Sequence, residues 1–305
     1  MASTPPSFRP FTDMYEPSGI LQLPDGRMLV IEDESQHPLS LVTIHPDEHM
    51  TRTPLDTRIK GSHQRFRKLD DLEGLTCDQA GWLYAITSHS RDGDGHQKKA
   101  RNKLVRFRIE DDRIVEPCVV RGLKPALLDA HPHLKSASKI RNVKDDEGLN
   151  IEALEVSADQ NSLLIGFRSP LLDHHAIIAR VDNHVAMFAH RAMPHVSDTL
   201  ITLNLGGHGI RGLTYFPALL RYLIISGPTS GGPAQFQLWT WDGHPDQAPR
   251  RAHIEGLPGL AHAEGLCPAL IHGRPCIIIV SDDGNRKSKR AAGYMLLDPA
   301  LLHTD

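Results

Sequence analysis

The stretch EGLTCDQAGWLYAITS, running from Glu73 to Ser88, decides the fold because its pattern occurs five times in the chain. A polar residue, a small residue and a leucine or isoleucine open a short strand, which a turn connects to a strongly apolar strand. Asp, Gly and Asn in such turns supply the backbone freedom that a tight connection needs. The pattern therefore predicts a β-hairpin in each copy. The other copies are SGILQLPDGRMLVIED (18–33), EALEVSADQNSLLIGFR (152–168), RGLTYFPALLRYLIIS (211–226) and EGLCPALIHGRPCIIIVSD (264–282).

The spacing of the copies predicts a β-propeller. Their small residues lie at positions 19, 74, 153, 212 and 265, so successive copies are 55, 79, 59 and 53 residues apart. A four-stranded blade takes about 40–50 residues, to which insertions add. A third strand follows the hairpins, at 39–44, 104–109, 176–181, 236–241 and 294–297. We expect an all-β fold, a single propeller domain over residues 1–305 with five blades; six blades are the alternative.

Two segments lie outside the repeat. Residues 8–14 precede the first copy, while the fifth copy has three obvious strands before Asp305. We expect the N-terminal segment to supply the missing strand of the last blade and to remove an open sheet edge. The longest interval contains residues 124–148, which are rich in histidine, proline and charge and predict an inserted loop with some helix.

Composition restricts the environment and the partners. The chain of 305 residues has a formal net charge of −3, without the basic excess that nucleic-acid binding favours. Its four cysteines form no CxxC pair, and no run of ~20 apolar residues could cross a membrane. We expect a cytoplasmic protein with neither membrane nor nucleic-acid partners. Residues 207–212 match GxGxxG, but a strand rather than a helix is predicted to follow, so no nucleotide cofactor is expected.

The two ends of each hairpin are predicted to meet at one mouth of the central channel. The inner strand of a blade runs away from that mouth, and the second strand returns to it about fifteen residues later. Polar residues at strand ends on a rigid scaffold are a usual setting for a binding site. The five expected pairs are Ser18 with Asp33, Glu73 with Ser88, Glu152 with Arg168, Arg211 with Ser226, and Glu264 with Asp282.

The chemistry of this ring is mixed, and three interpretations stay open. Crowded carboxylates favour a bound cation, and oxygen ligands suit calcium or magnesium. Cationic and hydrogen-bonding groups favour a small anion such as phosphate or carboxylate. The third interpretation is a ring of internal salt bridges. The candidate metal ligands are Glu73, Glu152, Glu264 and Asp282, and the candidate anion ligands are Ser88, Arg168, His208 and Arg211.

The segment from Thr87 to Arg91 is the densest catalytic candidate. His89 stands between two serines and next to an arginine at a strand exit, where it could act as a general acid or base beside Glu73 and Arg91. The alternative is a hydrogen-bonded corner that stabilises the following loop.

Several of these motifs resemble the uncharacterised bacterial family called domain of unknown function 3616. The resemblance spans about Ser18 to Leu297 and implies a propeller without an assigned reaction. The motifs are DLEGL (71–75), AITSHSR (85–91), GLNIEAL (148–154), LIGFRSP (164–170), GIRGL (209–213) and ISGP (225–228).

The chain also resembles, more weakly, the esterase-like phytase and gluconolactonase-type propellers, which share a Glu-Gly strand start. In the lactonase type that glutamate binds a central metal, which implies the same role for Glu73, Glu152 and Glu264. Arg211 and Ser18 depart from that pattern at the other two positions. The resulting hypothesis is metal-assisted hydrolysis of a phosphoester or ester. The alternative is a propeller without catalysis that binds a small anion or a protein partner.

Overall fold

A computed structural model describes residues 6–33, 36–46, 50–58, 66, 68–230, 235–257 and 259–304. The strands within these ranges form five antiparallel sheets, which are the blades of a β-propeller. The prediction of an all-β propeller with five blades is therefore confirmed.

Each blade begins with an inner strand, and the chain then moves outward through the sheet. The N-terminal strand is β1 (Arg9–Pro10). The first blade is β2 (Pro17–Gln22), β3 (Met28–Glu32), β4 (Leu39–Ile44) and β5 (Met50–Pro54). The second is β6 (Leu72–Cys77), β7 (Leu83–Thr87), β8 (Leu104–Glu110) and β9 (Arg113–Val119). The third is β10 (Asn150–Val156), β11 (Leu163–Ser169), β12 (Ala176–Val181) and β13 (Ile201–Leu203). The fourth is β14 (Gly209–Phe216), β15 (Arg221–Gly227), β16 (Gln237–Trp241) and β17 (Arg250–Ile254). The fifth is β18 (Ala263–Ile271), β19 (Arg274–Ser281) and β20 (Gly293–Leu297).

The two ends of the chain meet different blades. Strand β1 pairs with β20 and becomes the outer strand of the fifth blade, as predicted from residues 8–14. Phe11 and Met14, just after β1, are buried between the fifth and first blades. The last strand, β21 (Leu302–Thr304), pairs with β17 and adds a fifth strand to the fourth blade. The chain is thereby closed into a ring, with β18 against β2.

The hydrophobic core lies between adjacent blades. Five clusters of buried side chains each join the facing surfaces of two neighbouring sheets. Between the fourth and fifth blades, for example, Leu223 and Ile225 of β15 share a cluster with Ile277 and Ile279 of β19. Burial of this apolar surface holds the ring together and leaves the axis to polar residues.

The small residue of the repeat lets inner strands approach each other at the axis. A Cβ atom added to Gly74 would lie 2.6 Å from the backbone nitrogen of Leu154, on the next blade. One added to Gly212 would lie 2.1 Å from the carbonyl oxygen of Glu264. No real side chain fits at such distances, which explains why four of the five copies carry glycine.

The segment between the second and third blades is helical in part. Helix α1 (Leu123–Ala130) and helix α2 (Pro132–Ala137) pack Leu127 and Leu134 into the core between these blades. Helix α3 (His184–Ala189) follows β12 and joins the same core, and three short 3₁₀ helices occur at Lys99–Arg101, Pro217–Leu219 and Pro299–Leu301. In the described part of the chain, no helix combines the length and the apolar surface needed to cross a membrane.

Candidate functional site

Each inner strand carries a β-bulge at the start of its repeat. In four blades one residue of the inner strand has no partner on the second strand, because the residues before and after it pair with two consecutive residues of that strand. In the fifth blade the extra residue lies within Glu264–Gly265. A bulge redirects side chains that a regular strand would alternate across its faces. The four unpaired residues are Ser18, Glu73, Glu152 and Arg211.

One side of the resulting ring is paired internally. Arg211 is buried; its Nε lies 2.9 Å from Oε2 of Glu152, and its Nη2 forms an ion pair with Glu264. Arg168 adds a contact of 3.3 Å to Glu152, and Asn150 donates a hydrogen bond of 2.8 Å to the same carboxylate. Burial alone would lower the pKa of Arg211, but the two glutamates hold it above its ordinary value. This half of the ring is the salt-bridge network of the third interpretation.

The other side of the ring concentrates negative charge. Carboxylate oxygens of Asp33, Asp71 and Glu73 lie within 4.8 Å of one another. Burial raises the pKa of Glu73 well above its usual range, and the charges of Glu152 and Asp71 raise it further. Among the described residues, Glu73 has neither a hydrogen-bonding nor an ion-pairing partner. A group of this kind takes up either a proton or a cation.

Asp71 is fixed by three donors. The hydroxyls of Ser88 and Ser90 donate to its Oδ2, and Nη1 of Arg101 lies 2.9 Å from the same oxygen. Burial raises the pKa of Asp71, and Arg101 opposes that shift. These three donors all meet Oδ2 and hold the carboxylate of Asp71 in place.

Asp282 is a buried carboxyl group that interacts electrostatically with Asp33 of this group. Burial raises its pKa to about 9, with a further contribution from the charge of Glu264. At neutral pH its carboxyl group therefore carries a proton that it can donate.

A cavity of about 400 Å³ opens over the ring at this mouth. Its floor carries the carboxylates, and one wall comes from the segment after helix α2, including Arg141 and Lys144. Seven of the ten candidate catalytic, anion-binding and metal-binding residues line this cavity, namely Glu73, Arg91, Glu152, Arg168, Arg211, Glu264 and Asp282.

Three predicted residues lie elsewhere. Ser88 is buried beneath the cavity, where it orients Asp71. His208 precedes β14. Burial lowers its pKa, and the charge of Arg251 lowers it further. Neither belongs to the described residues that line the cavity.

His89 is the third, and its surroundings differ from those expected of a general acid or base. It is 1 % exposed, its Nδ1 lies 2.8 Å from the carbonyl of Thr87, and burial lowers its pKa to about 4. Its backbone is in the left-handed region, with a φ of 55°. The alternative interpretation, a hydrogen-bonded corner, describes these contacts.

Asp71 and the two cations of the insert are the site residues that sequence reasoning missed. Asp71 lies two residues before the ring position of its blade, as Asn150 does in the next blade, and both line the cavity. That shared offset was the available signal. Nothing in the local pattern of residues 138–148 indicates that Arg141 and Lys144 reach the same cavity.

Oxygen ligands at the acidic group suit a hard divalent cation such as calcium or magnesium. A second group of potential metal ligands, Asp92, Asp94 and His96, lies on the loop after β7. There Asp92 already accepts hydrogen bonds from the backbone of Asp94 and His96 and pairs with Lys98. The ring group is therefore the better candidate for a metal.

Comparison with known proteins gives one family match and several likenesses of fold. The model of a family of proteins of unknown function, DUF3616, matches residues 121–298. A GH43 β-1,3-galactosidase solved with galactodeoxynojirimycin has a TM-score of 0.52 and 11% identity, over 93% of this chain and 90% of that one. No curated protein sequence matches the chain.

Two further solved structures match the chain at lower similarity. The calcium structure of a Trichoderma reesei carbohydrate-active enzyme of family AA12 has a TM-score of 0.49 and 10% identity, over 98% of this chain and 96% of that one. The PQQ-bound aldose sugar dehydrogenase from Streptomyces coelicolor has a TM-score of 0.43 and 12% identity, over 96% and 99%. At these identities the likeness concerns the fold alone.

Proposed function

The chain belongs to the DUF3616 family of proteins of unknown function, so we propose its function from its own site: a divalent cation bound by Asp33, Asp71 and Glu73 assists the hydrolysis of a phosphoester or ester. The observation that carries the proposal is the approach of these three carboxylates to within 4.8 Å, with Glu73 lacking a protein partner in the described ranges. Calcium and magnesium are the cations that such oxygen ligands favour.

The acidic group and its neighbours divide the chemistry between them. A bound cation would polarise the substrate oxygen and lower the pKa of a water molecule. Asp71, held by Ser88, Ser90 and Arg101, fixes the position of the ligand set. A carboxylate oxygen of the group that does not hold the cation would take a proton from the water molecule as the water oxygen bonds to the phosphorus or acyl carbon. As the bond to the leaving oxygen breaks, protonated Asp282 donates its proton to that oxygen.

The paired half of the ring has a supporting role. Arg211 and Arg168 neutralise Glu152, so the axis does not carry the full charge of every ring carboxylate. That neutralisation makes it easier to keep Asp33, Asp71 and Glu73 ionised when a cation binds. Glu152 and Glu264, expected from the sequence as metal ligands, are proposed here as partners of Arg211 instead.

The test combines cation binding with turnover. We expect millimolar calcium or magnesium to raise the melting temperature of protein freed of metal with EDTA, because a ligand that binds the folded state stabilises it. We expect turnover on some member of a panel of aryl esters and aryl phosphates, and its loss in Glu73→Gln. The matched control is Glu110→Gln, an exposed glutamate at the opposite end of the propeller.

The outcomes separate this proposal from its alternative. If purified, folded protein turns over none of the panel with either cation, hydrolysis of these classes is excluded. Stabilisation by phosphate without turnover would favour a propeller that binds a small anion, for which the cationic residues on the cavity wall provide the support. Equal turnover in Glu73→Gln and Glu110→Gln would place the chemistry elsewhere.

A further inference from the structure

Cationic side chains on and beside the insert line the cavity, and in the described part of the chain they have no carboxylate partner. Arg141 and Lys144 are exposed, Arg91 is partly buried, and all three line the cavity. Arg91 donates to the carbonyl oxygens of Ser138 and Gly95, at 3.2 and 3.0 Å, and to no carboxylate in the described ranges. Arg141 and Lys144 form no ion pair within those ranges either. Their charges are therefore available to an anion in the cavity.

This distribution differs from that of the other arginines at the mouth. Arg168 and Arg211 contact Glu152, and Arg101 contacts Asp71, so carboxylates of the protein itself largely neutralise these three charges. A ring of internal salt bridges accounts for these three residues. It does not account for the three cations that line the cavity without an ion pair in the described part of the chain.

The insert is fastened to three blades, which fixes the position of its cations. Hydrogen bonds join it to the corner after β7, to the end of β11 and to the loop after β15. These are Lys124 Nζ to the carbonyl of His89 at 2.6 Å, Ser169 Oγ to the carbonyl of Gly148 at 2.5 Å, and Thr229 Oγ1 to Glu147 Oε1 at 2.7 Å.

The turn that carries the two exposed cations is itself ordered by hydrogen bonds. Asn142 Nδ2 donates to Oδ2 of Asp145 at 2.9 Å, and the amide of Gly148 donates to the carbonyl of Val143 at 3.1 Å. Gly95 lets the loop after β7 approach this turn, since a Cβ atom there would lie 3.0 Å from Cβ of Arg141. The turn and that loop thus bring Arg91 and Arg141 to one wall.

We propose that Arg91, Arg141 and Lys144 form an anion subsite that binds a phosphate or carboxylate group of the ligand. Guanidinium groups match the geometry of both anions, and an ammonium group adds a point charge. The inference rests on the proposed function for one point: the substrate is an ester or phosphoester with a second acidic group remote from the bond that is cleaved. The acidic group and the subsite would then hold opposite ends of one molecule.

Phosphate binding in EDTA tests the subsite without any bound cation. We expect calorimetry at low ionic strength to show that the wild type binds inorganic phosphate. The double variant Arg141→Gln/Lys144→Gln should bind phosphate at least roughly tenfold more weakly, because each charged contact contributes on that order. The matched control is Lys135→Gln/Lys139→Gln, which removes two exposed charges from the same insert away from the cavity. Equal phosphate affinity in the two double variants would overturn the subsite.

Glu73→Gln distinguishes failure of the subsite from failure of the proposed hydrolysis. In EDTA this variant should bind phosphate about as tightly as the wild type, since it leaves Arg91, Arg141 and Lys144 of the subsite in place. A protein that shows no turnover but binds phosphate through residues 141 and 144 retains the subsite and loses the hydrolysis. A protein whose turnover needs Glu73, but whose phosphate affinity does not depend on residues 141 and 144, retains the proposed hydrolysis and loses the subsite.

Discussion

Glu73, Glu152 and Glu264 occupy the same position in three repeats but have different surroundings. Arg211 of the fourth repeat lies between Glu152 and Glu264 along the ring and pairs with both. Glu73 lies between Ser18 and Glu152, and no cation pairs with it among the described residues. The exchange of glutamate for arginine in one blade therefore creates a neutralised half and an acidic half.

Arg211 is predicted to be essential to the stability of the ring. Arg211→Met should lower the free energy of unfolding by about 3 kcal/mol or more, since it removes the ion pair of buried Glu264 and leaves buried Glu152 with only Arg168 and Asn150. Urea unfolding measures this change. Arg180→Met is the control, because its ion pair with Asp182 is partly exposed and should contribute about 1 kcal/mol at most. A loss no larger than that of the control would contradict the internal pairing.

Buried Glu155, which does not line the cavity, should make the stability of the protein depend on pH. It is buried on β10, accepts a hydrogen bond of 3.1 Å from Thr76, and has a pKa raised by burial to about 8 from an ordinary value of 4.5. Its stabilising contribution is fully present below pH 4.5 and is lost as the pH rises through 8, by about 1.4 kcal/mol for each unit between the two values.

Glu155→Gln should remove this dependence. The difference in melting temperature between variant and wild type should grow in favour of the variant from pH 5 to pH 9. A difference that stays constant over that range would show that Glu155 titrates normally in the folded protein.

At the scale of the elements, the hairpins could be predicted but their bulges could not. The repeat gives both strands of each blade, and the third strands at 39–44 and 176–181 match β4 and β12 residue for residue. A bulge depends on one unpaired residue, which alternation of apolar and polar residues does not reveal. The bulge nevertheless decides where Glu73 and Arg211 lie.

The small residue that recurs in the internal repeat also predicts how stability responds to a substitution of glycine. Gly212→Ala should destabilise the protein by about 1–3 kcal/mol, because the new methyl group would press on the backbone of Glu264. Gly93→Ala is the control, since nothing lies within 4 Å of its added Cβ atom. Thermal unfolding of both variants measures the difference, and equal stability would show that the inner strands can move apart.

His89 shows where local reasoning ends for the site. A histidine between hydroxyls at a strand exit is a reasonable catalytic candidate, but its left-handed backbone and its bond to the Thr87 carbonyl direct the ring inward. Lys144 shows the reverse case, because it reaches the cavity through long-range packing of the insert against the blades. Sequence periodicity contains no information about such contacts.

At the scale of the whole molecule, closure of the ring is the feature that fixes the mouth. Strand β1 links the two ends of the chain through the fifth blade, whereas β21 extends a blade that already has four strands. Phe11 and Met14 are buried, while the residues of β21 are partly or fully exposed. The two termini should therefore differ in their importance for stability.

Two truncations test this difference. Removal of residues 1–14 should lower the melting temperature strongly and expose the edge of β20 to self-association, since loss of buried Phe11 alone costs ~3 kcal/mol or more. Removal of residues 302–305 should have a small effect. Thermal unfolding and size-exclusion chromatography measure both, and similar results for the two truncations would contradict closure through β1.

The central claim is that the five blades aim their bulged residues at one axis, and that the acidic half of this ring binds a divalent cation. The most direct measurement is a crystal structure determined in millimolar calcium, with anomalous data to identify the ion. We expect calcium bound to carboxylate oxygens of Asp33, Asp71 and Glu73 at about 2.3–2.6 Å. An axis without an ion at saturating calcium, or an ion bound instead by Glu152 and Glu264 with Arg211 displaced, would contradict it.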